Sequence, residues 1–185
     1  MASMSLSSHL QTFPLLETER LVLRQMERED AKDILLFLAD EETMRFYDPP
    51  FTQFEQAEKS ILRHQKRFAD REAIRWGITL KGEDKVVGNC GYSWDAENFS
   101  AELSYILAKP YWNKGIMSEA LAAILQFGFA SCRLHRIEAH VALTNHASAQ
   151  VLRKLGFQEE GLLRESWYVD NQFYDEKVFA LLNKR

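Results

Sequence analysis

The sequence is poor in the residues that mark several classes of protein. Its eight glycines and four prolines are about half the usual share, which excludes collagen-like and low-complexity chains. Its two cysteines are too few for a disulfide framework, so we expect a reducing compartment, the cytoplasm. The longest apolar runs, 34–39 and 120–125, are far shorter than the roughly 20 residues that span a bilayer. The sequence therefore predicts a protein that does not cross a membrane.

The charge balance is mildly acidic, with 23 Lys and Arg residues against 27 Asp and Glu and a formal net charge of −4. Binding to nucleic acid needs a dense basic face, so nucleic-acid partners are disfavoured. The 185 residues are 46% hydrophobic, which suffices for one core but not for two full domains. The serine-rich start lacks the features of a secretory signal. We therefore expect a loose polar leader over 1–15 and a single domain over 16–185.

Hydrophobic periodicity divides the chain into helices and strands. A first helix is broken at 48–50, and a second runs from an N-cap at Thr52, with Glu55 in a capping box, to about Asp70. Strands are predicted at 20–24, 74–80, 85–94, 101–108 and 135–143, and helices at 117–131 and 146–155. A further strand opens at Phe157, and the chain closes with a hairpin at 163–169 and 173–182 with its turn at 170–171. This order predicts an α/β (α+β) fold with a mixed sheet rather than a doubly wound one.

The most informative segment is the transition from strand to helix between 101 and 122. Pro110 ends the strand, and Gly115 permits a positive φ angle or a close approach of the backbone to a ligand. The first amides of the following helix have no intrahelical partner and, with Lys109 and Lys114 nearby, favour an anion. An ordinary strand-to-helix turn is the alternative interpretation at this point.

A second transition from strand to helix carries Asn145 and Ser148. Asn145 suits the helix N-cap, and that structural role would suffice to explain it. Ser148 shares a helix face with Val151, Leu152 and Leu155, so its hydroxyl faces the sheet, where a purely structural design favours alanine. Either Ser148 bonds a carbonyl of its own helix, or it serves a ligand at the carboxyl ends of the strands.

Two carboxylates are candidates for a general base. Glu102 lies on a strand expected to be central, and a partly buried carboxylate there would have a raised pKa suited to proton transfer near neutral pH. A solvated strand end is the alternative. Glu165 on the closing hairpin is the second candidate, and its orientation stays open. His135 and His140 face opposite sides of one strand, so no metal site is predicted.

Two stretches resemble a known family. In the first, Tyr105-x-Leu107-x-x-Pro110-x-Trp112-x-x-Gly115-x-Met117 is followed by Glu119-Ala120, and in the second, Asn145-x-x-Ser148 is followed by Val151-Leu152-x-Lys154-Leu155-Gly156-Phe157. They resemble the GNAT superfamily of acetyl-CoA-dependent N-acetyltransferases, most closely the branch that acetylates the N-termini of ribosomal proteins. Because the segment 16–24 and the closing hairpin fit the same branch, the resemblance covers nearly everything after residue 15.

The resemblance implies a mixed, mostly antiparallel sheet of about seven strands with splayed central strands, flanked by about four helices. Backbone amides from about 113 to 118 would bind the pyrophosphate of acetyl-CoA, Asn145 and Leu107 the pantetheine arm, and Lys154 the nucleotide end. The implied cofactor residues are Leu107, Asn113, Lys114, Gly115, Ile116, Met117, Ser118, Asn145 and Lys154. Trp112 and Met117 depart from the phosphate-binding pattern of the family, which has Gln or Arg and then Gly or Ala at these positions. We still expect pyrophosphate binding, because backbone amides supply most donors.

The resemblance also implies direct acetyl transfer to a primary amine in a ternary complex. A protein N-terminal α-amine is expected, because about a tenth of such groups are neutral at pH 7. Glu102, directly or through water, would be the catalytic base. Ser148 would stabilise the departing thiolate, in a position where many relatives carry a tyrosine. Backbone N–H groups near Leu107 would hold the oxyanion.

Other interpretations stay open beside this one. The acceptor could be a small amine such as a polyamine, an aminoglycoside or an amino acid, or the chain could be a CoA-binding regulator without turnover. Acetyl-CoA as cosubstrate and an amine acceptor are the expected partners, with no metal, and the chain could be a monomer or a homodimer. Walls of the acceptor site are expected from Phe46, Tyr47, Asp48 and the turn at 170–171.

Overall fold

The computed structural model describes residues 10–183 of the chain, so residues 1–9 of the predicted leader lie outside it. The strands are β1 (Leu16–Glu17), β2 (Leu21–Arg24), β3 (Ala73–Leu80), β4 (Val86–Asp95), β5 (Ser100–Leu107), β6 (Arg136–Ala142), β7 (Gln158–Val169) and β8 (Gln172–Leu182). The helices are α1 (Ala31–Leu38), α2 (Glu41–Met44), α3 (Phe54–Ala69), α4 (Ile116–Ala130) and α5 (His146–Lys154), with short 3-10 turns at Arg28–Asp30 and Lys109–Tyr111. Within this part of the chain, every helix is too short or too polar to cross a membrane.

One sheet contains all the strands, in the order β1-β2-β3-β4-β5-β6-β8-β7. Neighbouring strands are antiparallel except β5 and β6, which are parallel and are connected through α4. These two strands pair only between Ser100–Glu102 and Arg136–Glu138. Beyond that point β5 continues to Leu107 and β6 to Ala142 without further pairing to each other. The centre of the sheet is therefore splayed at the carboxyl ends of both strands.

Helices cover both faces of the sheet. The larger core lies between the sheet and α4 and α5 and includes Trp76, Leu121 and Leu152. The smaller core lies beneath α1 and α3 and includes Ile61 and Ile106. Since side chains alternate along a strand, Glu102 shares the face of Ile106, whereas Tyr105 faces α4 and α5.

The mixed, mostly antiparallel fold with splayed central strands is confirmed, and the number of elements is corrected. Eight strands are found within residues 10–183 instead of about seven, because the short β1 adds one at the edge. Five helices are found there instead of about four, because the first predicted helix is split. The Asp40 side chain accepts a hydrogen bond from Thr43 N–H at 2.7 Å. This cap starts α2, so the break comes well before 48–50.

Two other element boundaries differ from the sequence prediction. The N-cap of α3 is Gln53 rather than Thr52, and the Gln56 side chain, not Glu55, closes the capping box. Gln56 Oε1 accepts from the Gln53 N–H at 2.9 Å. The predicted strand that opens at Phe157 and the predicted hairpin strand at 163–169 form one continuous strand, β7 (Gln158–Val169), whose pairing with β8 is irregular. The hairpin turn at 170–171 is confirmed, with φ angles of 50° and 61°.

The end of the predicted leader packs on the core. The ring of Phe13 lies 4.9 Å from that of Phe68 and 5.8 Å from that of Trp76, between centroids. The Pro14 carbonyl accepts a hydrogen bond from Trp76 Nε1 at 2.7 Å. Ordered packing therefore starts before residue 16.

Candidate active site

A cleft of about 480 Å³ opens where β5 and β6 diverge. Its walls come from β5, from the loop before α4 and the first turn of that helix, from one side of α5 as far as Lys154, and from α2 with the loop that follows. Three strand or helix termini thus point their main-chain groups into one space. The splay is what makes the space available, because a fully paired β6 would fill it.

The loop before α4 presents backbone donors to this cleft. Asn113 and Gly115 have φ angles of 59° and 74°, in the left-handed region. The first hydrogen bond of the helix runs from Glu119 N–H to the Gly115 carbonyl at 3.0 Å. The amides of residues 116–118 precede that bond and have no intrahelical acceptor. Since these residues line the cleft, three donors and the positive end of the helix dipole can hold a diphosphate.

Glu119 places a carboxylate in the first turn of α4, where it would repel an anion. Arg20 neutralises it, with Nε 2.6 Å from Oε2, and Thr18 Oγ1 donates to Oε1 at 2.5 Å. Burial alone would raise the pKa of Glu119, but the hydrogen bonds from Thr18 and Arg20 bring it below its ordinary value. Arg20 Nη1 also donates to the Lys114 carbonyl at 3.0 Å. One arginine therefore fixes both the loop and the helix.

Main-chain groups of β5 also face the cleft. The Ala108 N–H donates to the Val87 carbonyl at 2.9 Å, which shows which residues of β5 direct their main-chain groups toward β4. Because that ladder alternates, the main-chain groups of Tyr105 and Leu107 point away from β4, toward the splay. The Leu107 carbonyl accepts from Trp112 Nε1 at 2.6 Å. The Leu107 N–H is left as a donor on the cleft side.

Helix α5 begins at the cleft with a capped first turn. Asn145 Oδ1 accepts from the Ser148 N–H at 3.1 Å, so the predicted N-cap is confirmed. The cap uses the amide oxygen and leaves Nδ2 as a donor for a ligand. Ser148 Oγ lies 2.7 Å from the Tyr105 hydroxyl oxygen. The serine therefore faces the sheet rather than its own helix, as the periodicity predicts.

Two tyrosines line the cleft between β5 and α2. The Tyr47 hydroxyl donates to the Tyr105 carbonyl. Burial raises the pKa of Tyr47 to about 12, against a smaller opposite effect of the Arg75 cation. Burial also raises the pKa of Tyr105, and the hydrogen bond with Ser148 opposes that shift. Both phenols are neutral hydrogen-bonding groups at physiological pH.

Most residues predicted for the site lie in the wall of this one cleft. They are Leu107, Asn113, Gly115, Ile116, Met117, Ser118, Asn145, Ser148 and Lys154, and the predicted acceptor residues Phe46 and Tyr47 join them. Lys114 does not line the cleft. Its side chain is exposed, with Nζ 5.7 Å from the centre of the Tyr111 ring.

The carboxylates considered as bases lie outside the cleft wall. Glu102 is exposed, at the last pair between β5 and β6, on the opposite face of β5 from Tyr105. Glu165 is exposed in the irregular part of β7, where its N–H donates to Asp175 Oδ1 at 2.9 Å. Asp48 and the turn at 170–171 are not part of the wall either. The acceptor side of the cleft is thus more aromatic than acidic.

Sequence reasoning missed the side-chain roles of Tyr105 and Trp112. Alternation along β5 does place Tyr105 on the face of Leu107, toward α5, so that pattern could have found the contact with Ser148. The family pattern predicts only a lost phosphate contact at Trp112, whereas its indole anchors the loop by donating to the Leu107 carbonyl. This anchor depends on a folded loop, so spacing alone gives no signal for it.

Metal chemistry and thiol chemistry each require particular side chains. Across residues 10–183, His, Cys, Asp and Glu side chains form no group of three or more that could hold a metal ion. Cys90 and Cys132 are free and buried, and burial raises the pKa of both thiols to about 12. Neither thiol is therefore suited to act as a thiolate nucleophile.

Residues 20–158 match the family described as Acetyltransferase (GNAT) domain. The uncharacterized N-acetyltransferase p20 of Bacillus licheniformis is 39% identical over 171 residues, 91% of this chain and 96% of that protein. The spermidine N(1)-acetyltransferase of Vibrio cholerae is 26% identical and covers 90% of this chain and 95% of its own length. The ribosomal protein uS5-alanine N-acetyltransferase of Escherichia coli is 28% identical over 59% of this chain and 57% of that protein.

Solved structures share the fold over nearly the whole chain. A GNAT-family acetyltransferase from Bacillus anthracis has a TM-score of 0.82 and 25% identity, covering 91% of this chain and 98% of that one. RimL, a ribosomal L7/L12 alpha-N-protein acetyltransferase in complex with coenzyme A, has a TM-score of 0.84 at 19% identity over 91% of this chain and 98% of that one. Together with the match over residues 20–158, the relationship to p20 shows that this chain belongs to the GNAT family and is an acetyl-CoA-dependent N-acetyltransferase.

Proposed function

We propose that the acceptor is the α-amine of a protein N-terminus, acetylated by direct attack on acetyl-CoA in a ternary complex. The observation that carries this choice is the charge of the cleft. Within the described residues, its wall contains one carboxylate, Glu42, and that group is paired with Lys109. A polycationic acceptor would leave its charges without partners there, whereas a peptide N-terminus brings a single amine.

The protonation of the acceptor supports the same choice. The nucleophile must be neutral, and about a tenth of α-amines but less than about one in a thousand lysine-type amines are neutral at pH 7. Among residues 10–183, the one carboxylate in the cleft wall is paired with Lys109, so no free carboxylate there can deprotonate the amine. An acceptor of lower pKa depends less on such a base. An α-amine meets that requirement.

The steps at the thioester carbon and at the sulfur each have a candidate group in the cleft. The amine attacks the thioester carbon, and the Leu107 N–H donates to the oxyanion that develops. The carbon–sulfur bond then breaks, and Ser148 hydrogen-bonds the thiolate. The proton of the amine passes to water, because neither Glu102 nor Glu165 lines the cleft. From that water the proton can pass to Glu102, which is exposed outside the cleft wall.

Acetyl-CoA is held in the other half of the cleft. We assign the diphosphate to the amides of 116–118, the pantetheine arm to Asn145 and Leu107, and the nucleotide end to Lys154. Direct transfer, without an acetyl-enzyme, is consistent with the two buried thiols. The same thiols suit a reducing compartment, so we place the enzyme in the cytoplasm.

The test is release of free CoA from acetyl-CoA by the intact protein with matched acceptors. We expect peptides with free N-termini to support turnover, the same peptides with blocked N-termini to be inert, and spermidine and aminoglycosides to be poor acceptors. Mass spectrometry then locates the acetyl group on the α-nitrogen. Turnover with spermidine at least as fast as with every free peptide would overturn the proposal.

A polyamine acceptor is the second candidate, favoured by the relationship to the spermidine N(1)-acetyltransferase of Vibrio cholerae. It would require carboxylates from outside the cleft wall, such as Asp48 or Asp170. Binding of acetyl-CoA without release of CoA to any amine would instead support a regulator that has kept the fold. Titration calorimetry with acetyl-CoA separates that outcome from an inactive preparation.

A further inference from the structure

The cleft contains one contact between two hydroxyl groups that come from different elements. Tyr105 reaches from β5 and Ser148 from the first turn of α5, and their oxygens are 2.7 Å apart. Both residues line the cleft at the splay, where the proposed function places the thioester of acetyl-CoA. We propose that Tyr105 is a positioning residue, which donates to Ser148 Oγ and so directs the proton of the serine at the CoA sulfur.

The direction of this hydrogen bond follows from what each group can do. A serine hydroxyl has one proton and can accept from two donors. The Tyr105 hydroxyl is also 3.4 Å from the Ser148 carbonyl, an acceptor, so the phenol proton is directed at α5. With that bond formed, the Ser148 proton is free for an acceptor in the cleft. Without it, a helical serine bonds back to a carbonyl of its own helix.

Tyr105 and Ser148 both keep their protons in the chemical step. The acceptor nitrogen bonds to the acetyl carbon, the carbon–sulfur bond breaks, and its electron pair goes to the sulfur. The amine proton goes to water, and the thiolate is protonated by solvent after release. An ordinary thiol has a pKa of about 8.5, below those of a serine and of a buried tyrosine, so the pair stabilises the thiolate by hydrogen bonding rather than as an acid. This inference rests on the proposed role of Ser148.

The first experiment is a double-mutant cycle with whichever amine the wild-type protein acetylates, so it does not depend on the identity of the acceptor. We expect Tyr105→Phe and Ser148→Ala each to lower kcat about 10-fold or more with the Kd of acetyl-CoA unchanged. The kcat of the double variant should be within about twofold of the kcat of Ser148→Ala, because the two changes break the same hydrogen-bonded pair. Tyr168→Phe, the same change at an exposed tyrosine on the hairpin, is the control. If the two losses in kcat multiply in the double variant, Tyr105 does not act through Ser148 and the inference is overturned.

The second experiment distinguishes this role from general damage to the fold. An acetyl thioester of 4-nitrothiophenol has a leaving group that needs little stabilisation, so the ratio of wild-type to Tyr105→Phe rates should fall toward one. Partial misfolding would slow both thioesters alike. An equal defect with both thioesters overturns the inference, as does normal turnover of Tyr105→Phe with acetyl-CoA. Normal turnover of Ser148→Ala removes the serine from the proposed mechanism as well.

Discussion

The two halves of the cleft are built differently. The half assigned to acetyl-CoA is built mainly from main-chain donors at the N-terminus of α4 and along β5, held in place by Arg20 and joined by the side chains of Asn145 and Lys154. The acceptor half consists of side chains such as Phe46 and Tyr47 in the loop after α2. Backbone donors suit a ligand that is the same for every member of the family. Side chains in a loop can vary with the acceptor without disturbing the fold.

The largest effect should come from the conformation of Gly115, which the phosphate loop requires. A β-branched residue at a φ of 74° is strained by about 1–3 kcal/mol, so Gly115→Val should weaken acetyl-CoA binding by about 50-fold. Its matched control is Gly82→Val, which has a φ of 84° in open space between β3 and β4, outside the cleft. Calorimetry should find wild-type affinity in the control. Equal losses in both would mean that general instability, not the loop, lowers the affinity.

Asn145 comes next, because it has two separable tasks. Asn145→Asp keeps the oxygen that caps α5 but removes the Nδ2 donor, so affinity for acetyl-CoA should fall about 10-fold with little change in Tm. Asn145→Ala should lose the same affinity and also about 1 kcal/mol of stability, seen in denaturant unfolding. If only the alanine variant binds weakly, the cap is the whole contribution of this residue.

Arg20 should have a smaller, electrostatic effect on the same half. Arg20→Met leaves the Glu119 charge beside the diphosphate, so affinity should fall about fivefold at low salt and less at high salt. Adding Glu119→Gln should restore most of the binding, because the repelling charge is removed. A double variant that binds no better than Arg20→Met would show that the arginine acts through the shape of the loop.

On the acceptor side, Phe46→Ala should change the KM of the acceptor rather than the Kd of acetyl-CoA. Loss of apolar contact should raise the KM of the acceptor about fivefold, while the Kd of acetyl-CoA stays within about twofold. Initial rates at saturating acetyl-CoA give the first value and calorimetry the second. A parallel rise in both would contradict the division of the cleft into two halves.

The smallest effect is expected at Glu102. Since this carboxylate is exposed and lies outside the cleft wall, Glu102→Gln should keep kcat within about threefold of wild type at every pH from 6 to 9. A 100-fold loss, or the disappearance of an acidic limb from the pH profile of kcat, would show that Glu102 is the base after all.

The sequence could predict the cofactor half because its signals are local. Gly115 in a turn, the amides of 116–118 and the capping Asn145 depend on neighbours within a few residues. The contact between Tyr105 and Ser148 joins residues 43 positions apart, so it needed the register of β5 against α5. The same holds for Arg20, whose partner Glu119 lies 99 positions away. The alternation of side chains along β5 predicts the face on which Glu102 lies. Whether the Glu102 carboxylate is buried depends instead on how far β6 pairs with β5.

The central claim is that the first amides of α4 hold the diphosphate of acetyl-CoA. Its most direct test is to measure the affinity of wild type and Gly115→Val for acetyl-CoA and for acetyl-pantetheine, which lacks the diphosphate and the nucleotide. We predict that Gly115→Val weakens acetyl-CoA binding about 50-fold but changes acetyl-pantetheine binding less than about twofold. Equal weakening of both ligands would contradict the claim.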